Sequence, residues 1–438
     1  MANTYLQRTQ SGTETDSKKA TISAWVKLSQ SVGNFNAGIF GTYVSGDYGA
    51  NGNSQIGWYN GGLYAWFKDG GSTYYKQEST RRFRDNNAWY HVVYRFDMTQ
   101  STASNRIRVY LNGEEITSWA ATNNPGSTQN IQMNNGGRIV RVGTYNFLNG
   151  THNYLDGLMS HFYFCDGYSY APTEFGETDS ITGEWKIKTS TNVNHGTNGF
   201  LILKDGNTIT DQSANSNDLS VAAGTLTKSE DCPSNVFCTM NPLDKSSSLN
   251  LSYGNTRTAS PSNNWMPCKG TIGMIGQNGK FYWEGKCESG TNHYFGVYDA
   301  SGTVRGSVQS DMDSNRFVYV YDGGMERTIT GQSAISGGTY ATFGNNDYIG
   351  VALDKENGTI TFYKNGTQIY TETHSSLQTK DLIPGTQAYG SDIQWNFGNG
   401  YFGTTAVSSA GTNASNNGIF EYDVPTGYTA LSTKGLNL

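Results

Sequence analysis

The sequence predicts an all-β chain that folds as two β-sandwich domains, and three observations carry this prediction. The composition is 13% aromatic and only 15% charged, with 54 glycines and 29 tyrosines among 438 residues, which favours strands and turns over helices. Short apolar runs alternate with period two, as half-buried strands do. The chain also exceeds the length at which one hydrophobic core usually keeps growing.

The first half contains several alternating runs that predict strands, at residues 20–28, 89–97, 106–116 and 157–164. Asn112-Gly113 lies inside the third run. Because Asn-Gly readily adopts the positive φ angles of a type I′ turn, this dipeptide predicts a hairpin. We assign residues 1–178 to a first sandwich.

The second half repeats the pattern at residues 279–286, 293–299, 316–322, 348–354, 359–370 and 393–398. Asn365-Gly366 again lies between strand-like runs, and VVYRFD with IRVYLNGEEI parallels IGVALD with ITFYKNGTQI. One supersecondary unit used twice favours two related sandwiches over a single barrel. Residues 235–438 are therefore the second predicted sandwich.

Residues 179–234 form the segment between the two sandwiches. It loses the strong alternation and retains one strand-like run at residues 199–204, followed by the polar stretch DGNTITDQSANSNDLS. We interpret this segment as a structured connector, and few apolar anchors there make relative movement of the two domains the expectation.

Charge and cysteine usage exclude several classes of protein. Thirty basic against thirty-six acidic residues give a net charge of −6 without long runs of one sign, so we expect neither a nucleic-acid groove nor membrane insertion. The N-terminus has no apolar signal region, which predicts a soluble protein outside the ordinary secretory route. Five cysteines are a poor disulfide framework and are expected to be reduced; pairing of Cys232 with Cys238 stays open.

The motifs and their order resemble those of a known group of proteins. The runs YLQRTQSG, TISAWVKLSQ and YLDGLMSHFYFCDGYSYAPTEFGE resemble the laminin-G-like, concanavalin A-like modules of marine-type tailed bacteriophage structural proteins. The later runs GKFYWEGK, YIGVALDKENGTITFYKNG and FEYDVPTGYTALSTKGLNL resemble a SPRY domain. The resemblance implies two jelly-roll-like sandwiches, the first concanavalin-like and the second SPRY-like.

The same resemblance implies a non-enzymatic virion protein of the tail, fibre or capsid decoration, assembled in the bacterial cytoplasm. Its expected partners are other virion proteins and a host surface glycan, bound by loops, and it is expected to form a homo-oligomer on the particle. Two alternatives stay open: a glycan-degrading hydrolase on a concanavalin fold, and a cellular SPRY-type protein that binds peptides.

Two motifs come close to catalytic or nucleotide-binding patterns. Glu421 and Asp423 come nearest to the E-x-D-x-x-E pattern of glucanases, but Thr426 stands where the third carboxylate would be, which favours a structural role. Gly398, Gly400 and Gly403 spell G-x-G-x-x-G, but no helix pattern follows. These glycines therefore predict a turn at the rim of the sandwich.

No metal or cofactor is predicted. Asp311, Asp313 and Asn315 begin like a calcium loop, but Arg316 occupies the position that requires glycine for the sharp turn. The six histidines are dispersed and form no zinc-binding motif.

Aromatic and loop residues are the remaining candidates for binding. They are Trp58 and Trp66 in the first domain and Asp299, Arg305, Tyr321 and Asp322 in the second. Exposed aromatic rings stack on sugars or are buried at protein contacts, while carboxylates can orient sugar hydroxyls. For the tryptophans, the competing interpretation is core packing, because Trp58, Tyr64 and Trp66 alternate as residues of one strand do.

Overall fold

A computed structural model of the chain describes residues 3–29, 34–44, 53–69, 73–146, 152–204, 208–261, 263–276, 278–290, 292–302, 304, 316–328 and 340–437. In these ranges the regular structure is almost entirely β-strand, with one short α-helix at Ser375–Thr379. No helix within them is long and apolar enough to span a membrane. The chain divides into two units, Met1–Leu226 and Thr227–Leu438.

The described part of the first unit contains an eight-stranded antiparallel sheet. Its strands, in spatial order, are β10 (Trp119–Asn123), β6 (Tyr74–Ser79), β5 (Gly62–Lys68), β4 (Ser54–Tyr59), β3 (Ala37–Tyr43), β11 (Ile139–Val142), β1 (Tyr5–Thr9) and β18 (Ser220–Ala223).

A six-stranded antiparallel sheet lies opposite it, again counted over the described residues. Its spatial order is β17 (Phe200–Ile202), β14 (Gly157–Asp166), β2 (Lys19–Leu28), β7 (Trp89–Asp97), β8 (Ile107–Leu111) and β9 (Glu114–Glu115). Two small hairpins accompany the sheets: β12 (Thr144–Asn146) with β13 (His152–Tyr154), and β15 (Gly176–Thr178) with β16 (Trp185–Ile187).

The core of the first unit forms between these sheets, because each contributes one apolar face. The larger sheet contributes residues such as Ile56 and Phe67, and the smaller contributes Ile22, Phe162 and Phe164; all five are fully buried. Alternation along each strand sends the remaining side chains to the outer faces of the two sheets.

Part of the predicted connector belongs to this first sandwich. β17 pairs with β14, and β18 pairs with β1, so residues from 179–226 complete an edge of each sheet. The structure thus places the boundary after Leu226, which differs from the predicted connector at residues 179–234. The predicted strand-like run at residues 199–204 corresponds to β17, whereas β18 was not predicted, because its four residues are too few to show a clear period of two.

The described part of the second unit also contains two sheets. The six-stranded one has the order β19 (Met240–Lys245), β22 (Trp265–Gly270), β30 (Leu382–Tyr389), β24 (Asn292–Asp299), β25 (Arg316–Val320) and β26 (Met325–Thr328). The eight-stranded one has the order β20 (Asn250–Ser252), β21 (Arg257–Ala259), β31 (Asp392–Asn396), β23 (Lys280–Ser289), β27 (Tyr348–Asp354), β28 (Thr359–Lys364) and β29 (Thr367–Thr373), with β34 (Thr429–Ala430) parallel to β23.

Both predicted Asn-Gly hairpins are confirmed. Asn112 and Gly113 have φ angles of 48° and 84°, and Asn365 and Gly366 have 48° and 77°, as a type I′ turn requires. The turns join β8 to β9 and β28 to β29. The predicted all-β class with two sandwich domains is confirmed as well.

Glu284 hydrogen-bonds the segment around Glu421 and Tyr422 to the second sandwich. Its side chain is fully buried in β23 and accepts hydrogen bonds from the backbone N–H groups of Glu421, at 2.9 Å, and Tyr422, at 3.0 Å. The Tyr282 hydroxyl donates a third at 3.0 Å. Burial nevertheless raises the pKa of the Glu284 carboxyl to about 7, because the charged form is removed from water.

Candidate functional site

The two tryptophans predicted to bind a ligand lie on opposite faces of one hairpin. A two-residue turn at Asn60-Gly61 pairs Trp58 with Leu63 and Gln55 with Trp66, and paired residues share a face of the sheet. Because Gln55 and Trp58 are three residues apart on β4, they point to opposite faces, and so do the two tryptophans. Trp58 is fully buried in the core, where its ring meets Phe83 edge to face at 5.5 Å. It offers no surface to a ligand, in agreement with the core-packing interpretation.

Trp66 lies on the outer face of the eight-stranded sheet but is itself well covered. Only 5% of it is exposed, and its ring stacks on Tyr74 at 6.0 Å. Tyr74 is 47% exposed. Tyr74 is therefore the ring of this pair that a ligand can reach, with Trp66 behind it.

The candidate residues of the second unit are not brought together. Asp299 ends β24, where its carboxylate accepts hydrogen bonds from the Ser301 N–H at 2.8 Å and hydroxyl at 2.6 Å. Tyr321 and Asp322 directly follow β25, which runs antiparallel to β24. They therefore lie at the opposite end of the sheet, about 20 Å from Asp299. Arg305 lies outside the described residues.

Glu421 and Asp423 have structural hydrogen-bond partners, and the glycine motif forms a turn. The Glu421 carboxylate accepts hydrogen bonds from the Ser408 N–H, at 2.9 Å, and hydroxyl, and the Asp423 carboxylate accepts two from Thr412. The Gly398, Gly400 and Gly403 motif leads into the hairpin of β32 (Tyr401–Phe402) and β33 (Thr405–Ala406). The prediction of a turn at these glycines is confirmed.

The metal and cysteine predictions add no site. Asp311, Asp313 and Asn315 lie outside the described residues, and the residues that are described form no group of three or more His, Cys, Asp or Glu able to hold a metal ion. All five cysteines, including Cys232 and Cys238, are free thiols.

A surface groove of the first unit lies beside β16, and we call it the Trp185 groove. Its volume is about 430 Å³, within the usual range for small-molecule sites of roughly 300–1,000 Å³. It is lined by Arg81, Leu111, Asn112, Glu114, Gly183, Glu184 and Trp185.

A buried histidine fixes the orientation of Trp185. The imidazole of His91 stacks on the Trp25 ring at 4.9 Å and is nearly parallel to the Trp185 ring, whose centroid lies 5.9 Å away. The Trp185 Nε1–H donates to His91 Nδ1 at 2.9 Å, so Nδ1 carries no proton and Nε2–H donates to the Ser23 hydroxyl at 2.8 Å. Burial lowers the pKa of His91 to about 3, which keeps this ring neutral and Nδ1 an acceptor.

Two glycines make room for the indole. A Cβ atom at Gly113 would lie 2.6 Å from the Trp185 ring, and one at Gly176 would lie 2.5 Å from it. The turn is also tied to the histidine, since Asn112 Oδ1 accepts from the His91 backbone N–H at 2.8 Å. Turn, histidine and indole therefore form one rigid floor for the groove.

The side chains around this floor suit recognition of a polyhydroxylated ligand. Arg81, Asn112, Glu114 and Glu184 are exposed around the partly buried Trp185. An indole packs against the apolar C–H face of a sugar ring, while amide, guanidinium and carboxylate groups pair with adjacent hydroxyls. Trp185 is not among the sequence-predicted binding residues because it lies in the predicted connector; a lone tryptophan in the alternating run EWKIK is the available signal.

Comparisons with known proteins agree with the order of the two modules. Residues 2–169 match the laminin-G model of the concanavalin A-like lectin/glucanases superfamily, and residues 280–400 match the SPRY domain model. No curated protein matches the chain. The predicted concanavalin-like module followed by a SPRY domain is thereby confirmed.

Solved structures with similarity to part of the chain include two SPRY domains and a toxin. The SPRY domain of human HERC1 is 18% identical over 36% of this chain and 96% of its own, and the TRIM65 PSpry domain is 16% identical over 36% and 89%. Stonustoxin is 20% identical over 38% of this chain and 27% of its own. The TM-score is 0.28 in each case.

Proposed function

From a concanavalin-like module followed by a SPRY domain, we propose that this chain is a non-enzymatic binding protein whose first unit binds a glycan in the Trp185 groove. Modules of both kinds are generally binding and interaction modules. The observation that carries the proposal is the indole of Trp185, held by His91 at the floor of a 430 Å³ groove among exposed polar side chains.

The setting we propose is a virion, on the strength of the motif order. Many copies on one particle make a shallow site sufficient, because repeated weak contacts add up to a high avidity. In this arrangement the first unit meets the glycan, and the SPRY-type second unit contacts neighbouring virion proteins. Immunogold electron microscopy of purified particles with an antibody to this chain tests the setting, and particles without label would refute it.

A glycan array followed by titration of the best ligand tests the groove. We expect Trp185→Ala to weaken binding about tenfold through loss of the apolar contact. Arg81→Ala and Glu114→Gln change exposed side chains only and are each expected to cost about threefold.

Tyr74→Ala, on the outer face of the other sheet, is the matched aromatic control and should bind like the wild type. Loss of binding in Tyr74→Ala alone would move the site to that face. A reducing-sugar assay on the same glycan completes the test, because release of sugar that Glu421→Gln abolishes would establish the hydrolase alternative instead.

A further inference from the structure

Arg141 is a buried cation on the outer face of the eight-stranded sheet. Its neighbours in β11, Val140 and Val142, point into the core, so the alternation sends Arg141 outward. Only 6% of Arg141 is exposed. Its guanidinium lies over the rings of Tyr43 at 4.1 Å and Tyr5 at 4.9 Å, which attract a cation through their π faces.

The hydrogen-bond partners of Arg141 are neutral. Nε donates to Gln7 Oε1 at 3.1 Å, another nitrogen donates to the Tyr43 hydroxyl, and Nη1 lies 3.4 Å from His152 Nε2. Burial and the nearby guanidinium both lower the pKa of His152, which keeps the imidazole uncharged as an acceptor. Among the described residues, no ion pair joins Arg141 to a carboxylate. A buried positive charge with neutral partners retains a strong preference for an anion.

A small cavity adjoins this guanidinium. It is partly open to the surface and measures about 10 Å³, which is room for about one water or one oxygen atom. We call it the Arg141 pocket, and it is lined by Gly41, Thr42, Tyr43, Asn53, Arg141, Tyr145 and Asn146.

Asn146 gives the pocket a second polar side chain beside the guanidinium. It ends β12, in the hairpin whose Tyr145 packs over Gly38 and Gly41 of the sheet. Both polar atoms of its side-chain amide are buried, and neither forms a hydrogen bond within the part of the chain that the structure describes. Buried amides are nearly always paired, so this unpaired amide beside the cavity is available to hydrogen-bond a small polar ligand atom there.

We infer that the Arg141 pocket binds one carboxylate oxygen of an acidic sugar. The guanidinium supplies the charge, the Asn146 amide supplies a further donor, and the size of the cavity admits a single oxygen. The preference for an anion follows from Arg141 alone. The choice of a sugar carboxylate rests on the proposed glycan binding of the first unit, although the pocket is separate from the Trp185 groove.

Ligand-observed NMR and thermal denaturation of the full chain test this inference with sodium D-glucuronate, D-glucose, sodium acetate and sodium chloride. Glucuronate is expected to bind and to raise the unfolding temperature, whereas glucose should not occupy this pocket. Arg141→Gln should weaken glucuronate binding about tenfold, and Asn146→Ala, which keeps the charge, about threefold.

Arg138→Gln is the matched control, because Arg138 lies three residues away and does not line the pocket. Far-ultraviolet circular dichroism verifies that each variant is folded, and Asn146→Ala remains decisive if Arg141→Gln does not fold. Equal binding of glucuronate to wild type and Asn146→Ala, or acetate or chloride binding as tightly as glucuronate, would overturn the inference.

The two proposals fail separately. If glucuronate does not bind but a glycan still depends on Trp185, the pocket assignment is wrong and the groove stands. If glucuronate binding depends on Arg141 while Trp185→Ala has no effect on any glycan, the groove is wrong and the pocket stands.

Discussion

His91 and Glu284 are buried titratable side chains that respond to pH in opposite directions. His91 has its pKa lowered to about 3, so its contribution to stability is complete above its unfolded pKa of 6.5 and is lost as the pH falls. Glu284 has its pKa raised from 4.5 to about 7. Its contribution is complete below pH 4.5 and is lost as the pH rises through 7, since the folded state retains a proton that the unfolded state has released.

Glu284→Gln is therefore expected to change the pH dependence of stability. In the wild type, Glu284 lowers the free energy of unfolding by about 3 kcal/mol between about pH 4.5 and 7.5. The variant should lack this decline in stability. Its amide should also form weaker hydrogen bonds with the backbone N–H groups of Glu421 and Tyr422 at every pH. Urea denaturation at the two pH values measures the difference.

Glu356→Gln is the control for that comparison, because Glu356 is an exposed glutamate of the same unit. Its pH dependence should match the wild type, and taking differences from the wild type removes the opposing contribution of His91. The same pH dependence in Glu284→Gln and wild type would show that Glu284 is ionised in the folded protein throughout this range.

At the scale of elements, each Asn-Gly hairpin is covered by an aromatic ring from a distant segment. A Cβ atom at Gly113 would lie 2.6 Å from Trp185, and one at Gly366 would lie 2.5 Å from Tyr422. The glycine in each turn thus serves two purposes, since it adopts a positive φ and leaves space for the ring. Each turn therefore fastens a later segment to its own sandwich.

Gly113→Ala tests this second purpose. We expect a loss of about 1 kcal/mol from backbone strain and a further loss of about 1–3 kcal/mol because the indole must move. Gly137→Ala is a matched control, since Gly137 has φ of +79° but no atom within 4 Å of its added Cβ. Thermal denaturation should show a larger loss of stability for Gly113→Ala than for Gly137→Ala. Equal losses of stability would mean that the Trp185 indole moves aside at no cost in free energy.

At the scale of the whole molecule, the division after Leu226 assigns short edge strands to the first sandwich. β17 contributes Phe200 and Ile202, both fully buried, and Leu219 before β18 is also in the core. Without residues 179–226 the core loses these side chains, and β14 and β1 lose the edge strands that pair with them. The first sandwich therefore extends well beyond the alternating runs that predict it.

Two fragments test this division. Residues 1–226 are expected to unfold cooperatively, whereas residues 1–178 should lose about 5 kcal/mol of stability because buried apolar area is exposed. Circular dichroism and urea denaturation of both fragments measure the difference. Equal stability of the two would instead support a connector that begins at residue 179.

The sequence by itself determined the strand-rich class and the two Asn-Gly hairpins, because period-two alternation and turn chemistry are local properties. The order of the modules came from the resemblance of its motifs to those of known families. The tertiary structure alone decided which rings reach the surface. A turn at Asn60-Gly61 separates Trp58 from Trp66, and antiparallel pairing separates Asp299 from Tyr321. Trp185 meets His91 only because tertiary packing brings together residues 94 positions apart, and local pattern contains no information about such contacts.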